Sequence, residues 1–167
     1  MEKLTYEGSD LGRAVRFQHP QDWKLQTEKG EKESYQAIRL LGPSNPERTY
    51  RTLFSVRAEP LQATGGAYAS RDEALDKYLK TLFDGAQVER DSKLTIAGFD
   101  VRDITVAYTV PPIRYHGLKG VSIPVKSRTV AFESGGMLYT VYYTADAQVF
   151  GDYLESFEAL LNSFKLL

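Results

Sequence analysis

Along most of the chain apolar and polar residues alternate with the two-residue period of strands, and in two stretches the period lengthens to that of a helix. Residues 13–18 place Val15 and Phe17 on one face, which predicts a half-buried strand. His19-Pro20-Gln21-Asp22 is expected to break it. Trp23-Lys24-Leu25 then opens a second short strand with Trp23 and Leu25 inward. Residues 28–33, charged and centred on Gly30, read as a hairpin tip. Residues 35–41 read as a third strand, and Gly42-Pro43-Ser44-Asn45-Pro46 as a loop. In residues 52–58, Phe54, Val56 and Ala58 alternate as a fourth strand.

The first helical stretch opens on Ser70-Arg71-Asp72-Glu73, which fits a capping box. The Ser70 hydroxyl accepts the Glu73 N–H, and the Glu73 carboxylate reaches back to the Ser70 N–H. Leu75, Tyr78, Leu79 and Leu82 follow at helical spacing, and Gly85 is expected to supply the left-handed residue that ends the helix. Residues 88–96 and 99–110 predict two strands around a turn at Ala97-Gly98. In the second, Val101, Asp103, Thr105 and Ala107 share one face and Arg102, Ile104, Val106 and Tyr108 the other. Pro111-Pro112 stops the pairing, and residues 113–124 form a long connection. Residues 126–133 and 137–143 flank Ser134-Gly135-Gly136 as a hairpin. The last of these strands is apolar on both faces, which places it centrally in its sheet. A final helix is expected from Asp146 as N-cap, with Phe150, Tyr153, Leu154, Phe157, Leu161 and Phe164 on one side.

Strands joined by hairpins, with two helices set among them, predict an α+β fold. The expectation is one domain over residues 1–167. A mainly antiparallel sheet of about six to eight strands is flanked by helices near 70–84 and 147–164, and residues 1–12 are irregular. A chain of this length buries about 70% of its unfolded surface, enough for a core without covalent staples.

The absence of cysteine excludes disulfides, thiol nucleophiles and cysteine-ligated metals. With His19 and His116 as the only histidines, a histidine-based metal centre has few ligands to draw on. A net charge of −1 gives no overall attraction to nucleic acid or membrane. Locally, residues 104–132 carry Arg114, Lys119, Lys126 and Arg128 and no acid. Residues 133–167 carry Glu133, Asp146, Asp152, Glu155 and Glu158 against Lys165 alone. A solvated loop beside a solvated helix face is the simpler account of that split, a binding stripe the sharper one. No apolar run is long enough to span a membrane, and the first twelve residues do not have the pattern of a signal peptide. Either the protein is cytoplasmic, or Met1 stands where a signal or lipoprotein leader has been removed. The exported or periplasmic alternative is the one favoured.

Three stretches together resemble the PsbP-like family. The first is Val15-Arg16-Phe17-Gln18-His19-Pro20-Gln21-Asp22-Trp23, similar to the family's opening strand and P-x-x-W. The second is Leu94-Thr95-Ile96-Ala97-Gly98-Phe99-Asp100-Val101, similar to its mid-chain turn. The third runs from Gly136 through Met137-Leu138-Tyr139-Thr140-Val141-Tyr142-Tyr143 to Phe157 and Ser163-Phe164-Lys165, similar to its last strand and closing helix. The resemblance implies a bacterial domain with an antiparallel sheet between helices. The family includes an extrinsic photosystem II subunit, a Ran-binding nuclear transport protein, bacterial lipoproteins and chaperones of type VI secretion effectors. What these share is the binding of protein surfaces. The implied function is therefore a non-enzymatic protein-binding or assembly module, with no catalytic residues to carry over. No long N-terminal extension like that of the photosystem subunit is evident, which weakens the expectation of a thylakoid role.

Several residues invite a chemical reading. His19 beside Asp22 is either a ligand or oriented base, or a turn histidine; the absence of a second ligand cluster favours the turn. As the counterpart of the family's tryptophan, Trp23 is expected in the core rather than at an interface. Arg114, Tyr115, His116 and Lys119, aromatic and basic groups on a long connection, form the candidate interaction surface. The alternative there is a hairpin tip of incidental composition. Ser122 and Ser134 lack a neighbouring histidine or a nucleophile elbow, and neither Gly65-Gly66 nor Gly135-Gly136 fits a phosphate loop. Folding could bring Asp100 and Asp103 near other carboxylates for acid–base work, though nothing in the sequence favours it. The eleven tyrosines fall mostly at packing positions. No cofactor and no metal site are expected, and the partner is an unidentified protein rather than nucleic acid. The second reading is a groove that takes a small apolar ligand or a helical peptide, with a sheet face as its floor.

Overall fold

The computed structural model describes residues 2–111 and 122–167. Among them the chain forms two sheets and two α-helices. In chain order come β1 (Lys3–Gly8), β2 (Val15–Pro20), β3 (Lys24–Lys29), β4 (Gln36–Ser44) and β5 (Arg51–Pro60). Helix α1 (Arg71–Lys80) follows, then β6 (Gln87–Ile96), β7 (Phe99–Val110), β8 (Ile123–Ser134) and β9 (Met137–Asp146). Helix α2 (Phe150–Ser163) and the short β10 (Lys165–Leu166) close the chain. The main sheet has seven strands in the order β3-β4-β5-β9-β8-β7-β6, every neighbouring pair antiparallel. A second sheet of three strands has the order β1-β2-β10. The α+β class and the antiparallel sheet flanked by helices are as the sequence predicts. So is the placing of residues 137–143, since β9 is the middle strand of the seven.

Period-two alternation sorts each central strand into two faces. Phe54 and Val56 of β5, Val130 and Phe132 of β8, and Tyr139, Val141 and Tyr143 of β9 share one buried face. Helix α2 covers that face with Phe150, Phe157, Leu160 and Leu161, and Val15 and Phe17 of β2 complete the same core. Each such side chain contributes roughly 1.5–3 kcal/mol on burial. Trp23 belongs to this core, its ring centroid 4.3 Å from Phe54 and 5.5 Å from Tyr153. The ring lies so close over Gly42 that a Cβ there would stand 2.7 Å from Trp23 Cζ2. Glycine at 42 is what lets β4 run beneath the indole.

The opposite face packs on α1 through a smaller cluster of Leu75, Ile104, Val106, Ala131, Leu138 and Leu61. Two ion networks stitch the sheet to its helices. Arg128 on β8 pairs with the fully buried Asp103 on β7 and with Glu158 on α2, at 2.7 and 3.2 Å. Arg102 on β7 pairs with Asp91 on β6 and Asp76 on α1, both at 2.8 Å. Lys126 reaches Glu89 at 3.0 Å. Lys126 and Arg128, half of the basic stretch singled out in the sequence, are therefore committed to internal partners rather than to a binding stripe.

Several boundaries differ from the pattern-based expectation. Residues 1–12 are not wholly irregular, because Lys3–Gly8 pairs along the whole of β2. The break expected at His19-Pro20 is absent. Strand β10 reaches only Val15 and Arg16, so the far end of β2 has a free edge where proline's missing N–H leaves no ladder bond unmade. Pairing of β4 with β5 extends through the expected loop to Ser44, with a bulge after Leu41. Helix α1 ends at Lys80, not near 84: the Thr81 N–H bonds back to the Tyr78 carbonyl, and left-handed Gly85 (φ +82°) serves the later turn into β6. In the capping box the Ser70 hydroxyl does accept the Glu73 N–H, but the Glu73 carboxylate takes the Ala69 N–H instead of that of Ser70. Helix α2 starts at Phe150, with Asp146 still in β9 and its carboxylate bonding the Gln148 N–H. Phe164 lies one residue past the helix in extended conformation, yet remains buried.

Candidate functional site

Because α2 seals one face of the main sheet, the face toward α1 is where outward side chains can meet a ligand. Helix α1 has ten residues and buries only Leu75 fully. A groove of about 350 Å³ remains between its flank and the exposed sides of β5 and β9. Its floor comes from alternate residues: Ser55, Arg57 and Glu59 of β5, Thr140 and Tyr142 of β9, and Thr129 of β8. Tyr68, Leu75 and Tyr78 form the wall beside the helix. On the rim, Arg57 pairs with Glu59 at 2.8 Å and stacks 3.9 Å above the Tyr35 ring. Lys77 stands 5.6 Å from the centroid of Tyr68.

The floor continues into a cluster of hydroxyls on the same face. The Tyr50 hydroxyl lies 2.7 Å from Thr144 Oγ1. Ser127 Oγ lies 3.0 Å from the Tyr142 hydroxyl and 3.1 Å from that of Tyr108, and donates to Thr144 at 3.2 Å. Burial pushes the Tyr50 phenol up to about 12. It raises Tyr142 further and also raises Tyr78, although a bond from Thr129 opposes the shift at Tyr78. Tyr108 moves the other way. Burial would raise it, but the surrounding Ser127, Tyr142, Thr144 and Tyr50 hydroxyls bond its oxygen and bring it below the ordinary value. The groove therefore presents aromatic rings, hydroxyls that both donate and accept, and one arginine–glutamate pair. Ala74, Leu75 and Leu138 add apolar surface beside these polar groups.

The sequence-derived candidates Arg114, Tyr115, His116 and Lys119 lie outside the described residues. His19 is buried in β2 rather than in a turn, its Nδ1 3.0 Å from the Pro20 carbonyl, with no bond to Asp22. Asp100 and Asp103 point to different fates: Asp100 is exposed and its carbonyl accepts from Arg71, while Asp103 is held by Arg128. Ser134-Gly135-Gly136 forms the β8–β9 turn, with both glycines at positive φ. Among the described residues no group of three or more His, Asp or Glu side chains is placed to hold a metal ion, and no helix is long and apolar enough to cross a membrane. The groove residues Arg57, Tyr68, Thr140 and Tyr142 are ones that sequence reasoning missed. Packing accounts for Tyr139 and Tyr143, which are buried, but Tyr50, Tyr78, Tyr108 and Tyr142 turn their hydroxyls to the other face. The signal was present in β9, where Thr140, Tyr142 and Thr144 occupy every second position.

Sheet order, the paired helices and the short second sheet define the PsbP-like fold, and solved structures agree. Cyanobacterial PsbP from Synechocystis matches with a TM-score of 0.61 at 14% identity, covering 99% of this chain and 92% of that one. LpqN from Mycobacterium tuberculosis, described as involved in cell envelope biogenesis, matches with a TM-score of 0.58 at 16% identity over 99% and 90%. A protein of unknown function from Pseudomonas aeruginosa matches with a TM-score of 0.56 at 10% identity over 97% and 95%. No protein-family model and no curated protein matches the chain.

Proposed function

We propose that this protein is a non-enzymatic binding module, and that it docks a protein partner in the groove between α1 and the β5–β9 face. One observation carries the reading. The main sheet is closed by α2 on one side and left open on the other over a groove walled by Tyr68 and Tyr78, with Tyr142 in its floor and Arg57 at its edge. Tyrosine and arginine are the residue types enriched at protein interfaces, because each buries a large rigid surface while keeping a polar tip for hydrogen bonds. A floor of hydroxyls asks for an occupant with donors and acceptors of its own, which a polypeptide supplies and a purely apolar ligand does not. The working compartment in this reading is outside the cytoplasm. The fold shared with LpqN, a protein involved in cell envelope biogenesis, supports that placement.

The test is paired capture from native lysate by the wild-type chain and by Thr140→Arg, which fills the groove from its floor. A protein held by the wild type and lost by the variant, with the melting temperature unchanged, supports the reading. Equal retention by both chains removes the groove from it.

A further inference from the structure

The three-stranded sheet ends at β1, and among the described residues nothing pairs with the outer edge of that strand. Backbone parity fixes which groups stand on the edge. The Gln21 N–H donates to the Glu2 carbonyl at 3.0 Å, one step beyond the Lys3–Pro20 pair. On the far side of β2 the Leu167 N–H donates to the Ala14 carbonyl at 2.9 Å, which gives the same parity. Hydrogen-bonded and non-bonded pairs alternate along an antiparallel ladder. Leu4, Tyr6 and Gly8 therefore bond β2, while Lys3, Thr5 and Glu7 turn their N–H and C=O groups to the free edge. The side chains divide by the same alternation. Tyr6 stacks on the buried Phe17, ring centroids 4.9 Å apart, and Leu4 shares that face with 48% of its surface exposed. Lys3, Thr5 and Glu7 lie on the other face, all exposed. Arg16 of the same chain holds Glu7 through Oε1 at 3.2 Å.

We propose that two copies of this chain associate through their β1 edges, antiparallel about a twofold axis at Thr5. Outward-bonding residues can pair only with each other, so the open registers set odd positions of one strand against odd positions of the other. With the axis at Thr5, Lys3 meets Glu7 of the second copy, Leu4 meets its Tyr6, and Thr5 meets its Thr5. Twofold symmetry repeats the first two pairs. The edge N–H and C=O groups of Lys3, Thr5 and Glu7 are then all bonded. Opposite charges face each other on one side of the joined sheet. On the other side Tyr6 covers the exposed Leu4 across a non-bonded pair, where side chains approach most closely. Moving the axis to Leu4 or Tyr6 keeps the parity but sets Thr5 against Lys3 or Glu7 and leaves the charges unmatched. The outer strands of the main sheet are less suited. Strand β6 has a bulge between Val88 and Arg90 and the consecutive charges Glu89-Arg90-Asp91, devices that blunt an edge. Strand β3 has no exposed large apolar side chain to cover. Nothing here depends on the groove beside α1, which lies on the main sheet, so the two proposals stand or fall separately.

The experiment is sedimentation equilibrium of the full chain, of Lys3→Glu, of Glu7→Lys, and of an equimolar mixture of the two variants. A six-residue edge makes a small interface, so the wild type is expected to dimerise with a Kd of about 10–100 µM. Each variant alone sets two like-charged pairs across the axis and should associate about tenfold or more weakly. The mixture sets Glu against Lys at both pairs and should recover association as a one-to-one heterodimer, a rescue that a folding defect in either variant would not permit. Lys3 and Glu7 are exposed, so both variants should keep the wild-type melting temperature. A wild type that stays monomeric up to about 1 mM overturns the proposal. A dimer that neither variant weakens overturns it too, because its contact then lies on another surface. So does a mixture that associates no more tightly than the variants alone, because the charges then do not face each other in this register.

Discussion

Arg128 grips Asp103 through two parallel hydrogen bonds, Nε to Oδ1 at 3.0 Å and Nη2 to Oδ2 at 2.7 Å, in a place where Asp103 has no exposure to solvent. This is a strand-to-strand clamp between β7 and β8, and Glu158 extends it to α2. Removing Arg128 leaves the buried Asp103 with only the half-exposed Arg90 beside it, at 3.9 Å. Arg128→Met is expected to cost about 3–5 kcal/mol in urea unfolding. The double variant Asp103→Leu/Arg128→Met should recover much of that loss, because the desolvation of both charges disappears together. A single variant of wild-type stability would mean the pair is not desolvated in solution.

Helix α2 carries a glycine at its second position, and a Cβ built on Gly151 meets nothing within 4 Å. Gly151→Ala should raise stability by a few tenths to about 1 kcal/mol, through a smaller loss of backbone entropy on folding. The readout is the shift of the unfolding midpoint at unchanged slope. A lower midpoint would show that this turn of the helix meets a neighbour.

Ser70 caps α1 by accepting the Glu73 N–H at 3.1 Å. Ser70→Ala should cost about 1 kcal/mol, and Ser70→Asp should cost much less. Equal losses in the two variants would show that the cap bond does not form in solution.

Alkaline titration probes the hydroxyl cluster. Tyr50 has its pKa raised to about 12 by burial, while the unfolded phenol titrates at its ordinary value of 10.0. The folded state therefore holds its proton more tightly than the unfolded state. The associated stability is fully present below pH 10.0 and is lost as pH rises toward about 12. Tyr50→Phe should flatten the fall of stability with pH across that window. An unaltered slope in the variant would place the Tyr50 phenol in water.

Much of this fold was legible in period-two alternation. The central position of β9 followed from apolar residues on both its faces, and Trp23 in the core followed from the alternation of Trp23-Lys24-Leu25 and the resemblance to the family's P-x-x-W. What escaped notice had a physical reason. Strand β10 is a pair of residues whose ladder with Val15 and Arg16 is made by backbone groups, which leave no side-chain pattern. Strand β1 is mostly exposed, so Lys3–Gly8 lacks the apolar face that marks a strand. The expected end of α1 at Gly85 failed because a left-handed glycine serves a turn as readily as a helix terminus. At the site level, tyrosines on strands were legible as packing residues. Alternation sets Tyr142 and Tyr143 on opposite faces of β9; that the Tyr142 face is the one left partly open beside α1 is shown only by the assembled sheet and helices.

The central claim is that a partner seats in the groove between α1 and the β5–β9 face. The most direct measurement is photo-crosslinking from a benzophenone side chain placed at Thr140 on the groove floor, compared with one at the exposed Gln18 of β2. Crosslinked adducts with one defined protein from position 140, and none from position 18, are the predicted result. Adducts from position 18 with none from position 140, both chains remaining folded, would contradict it.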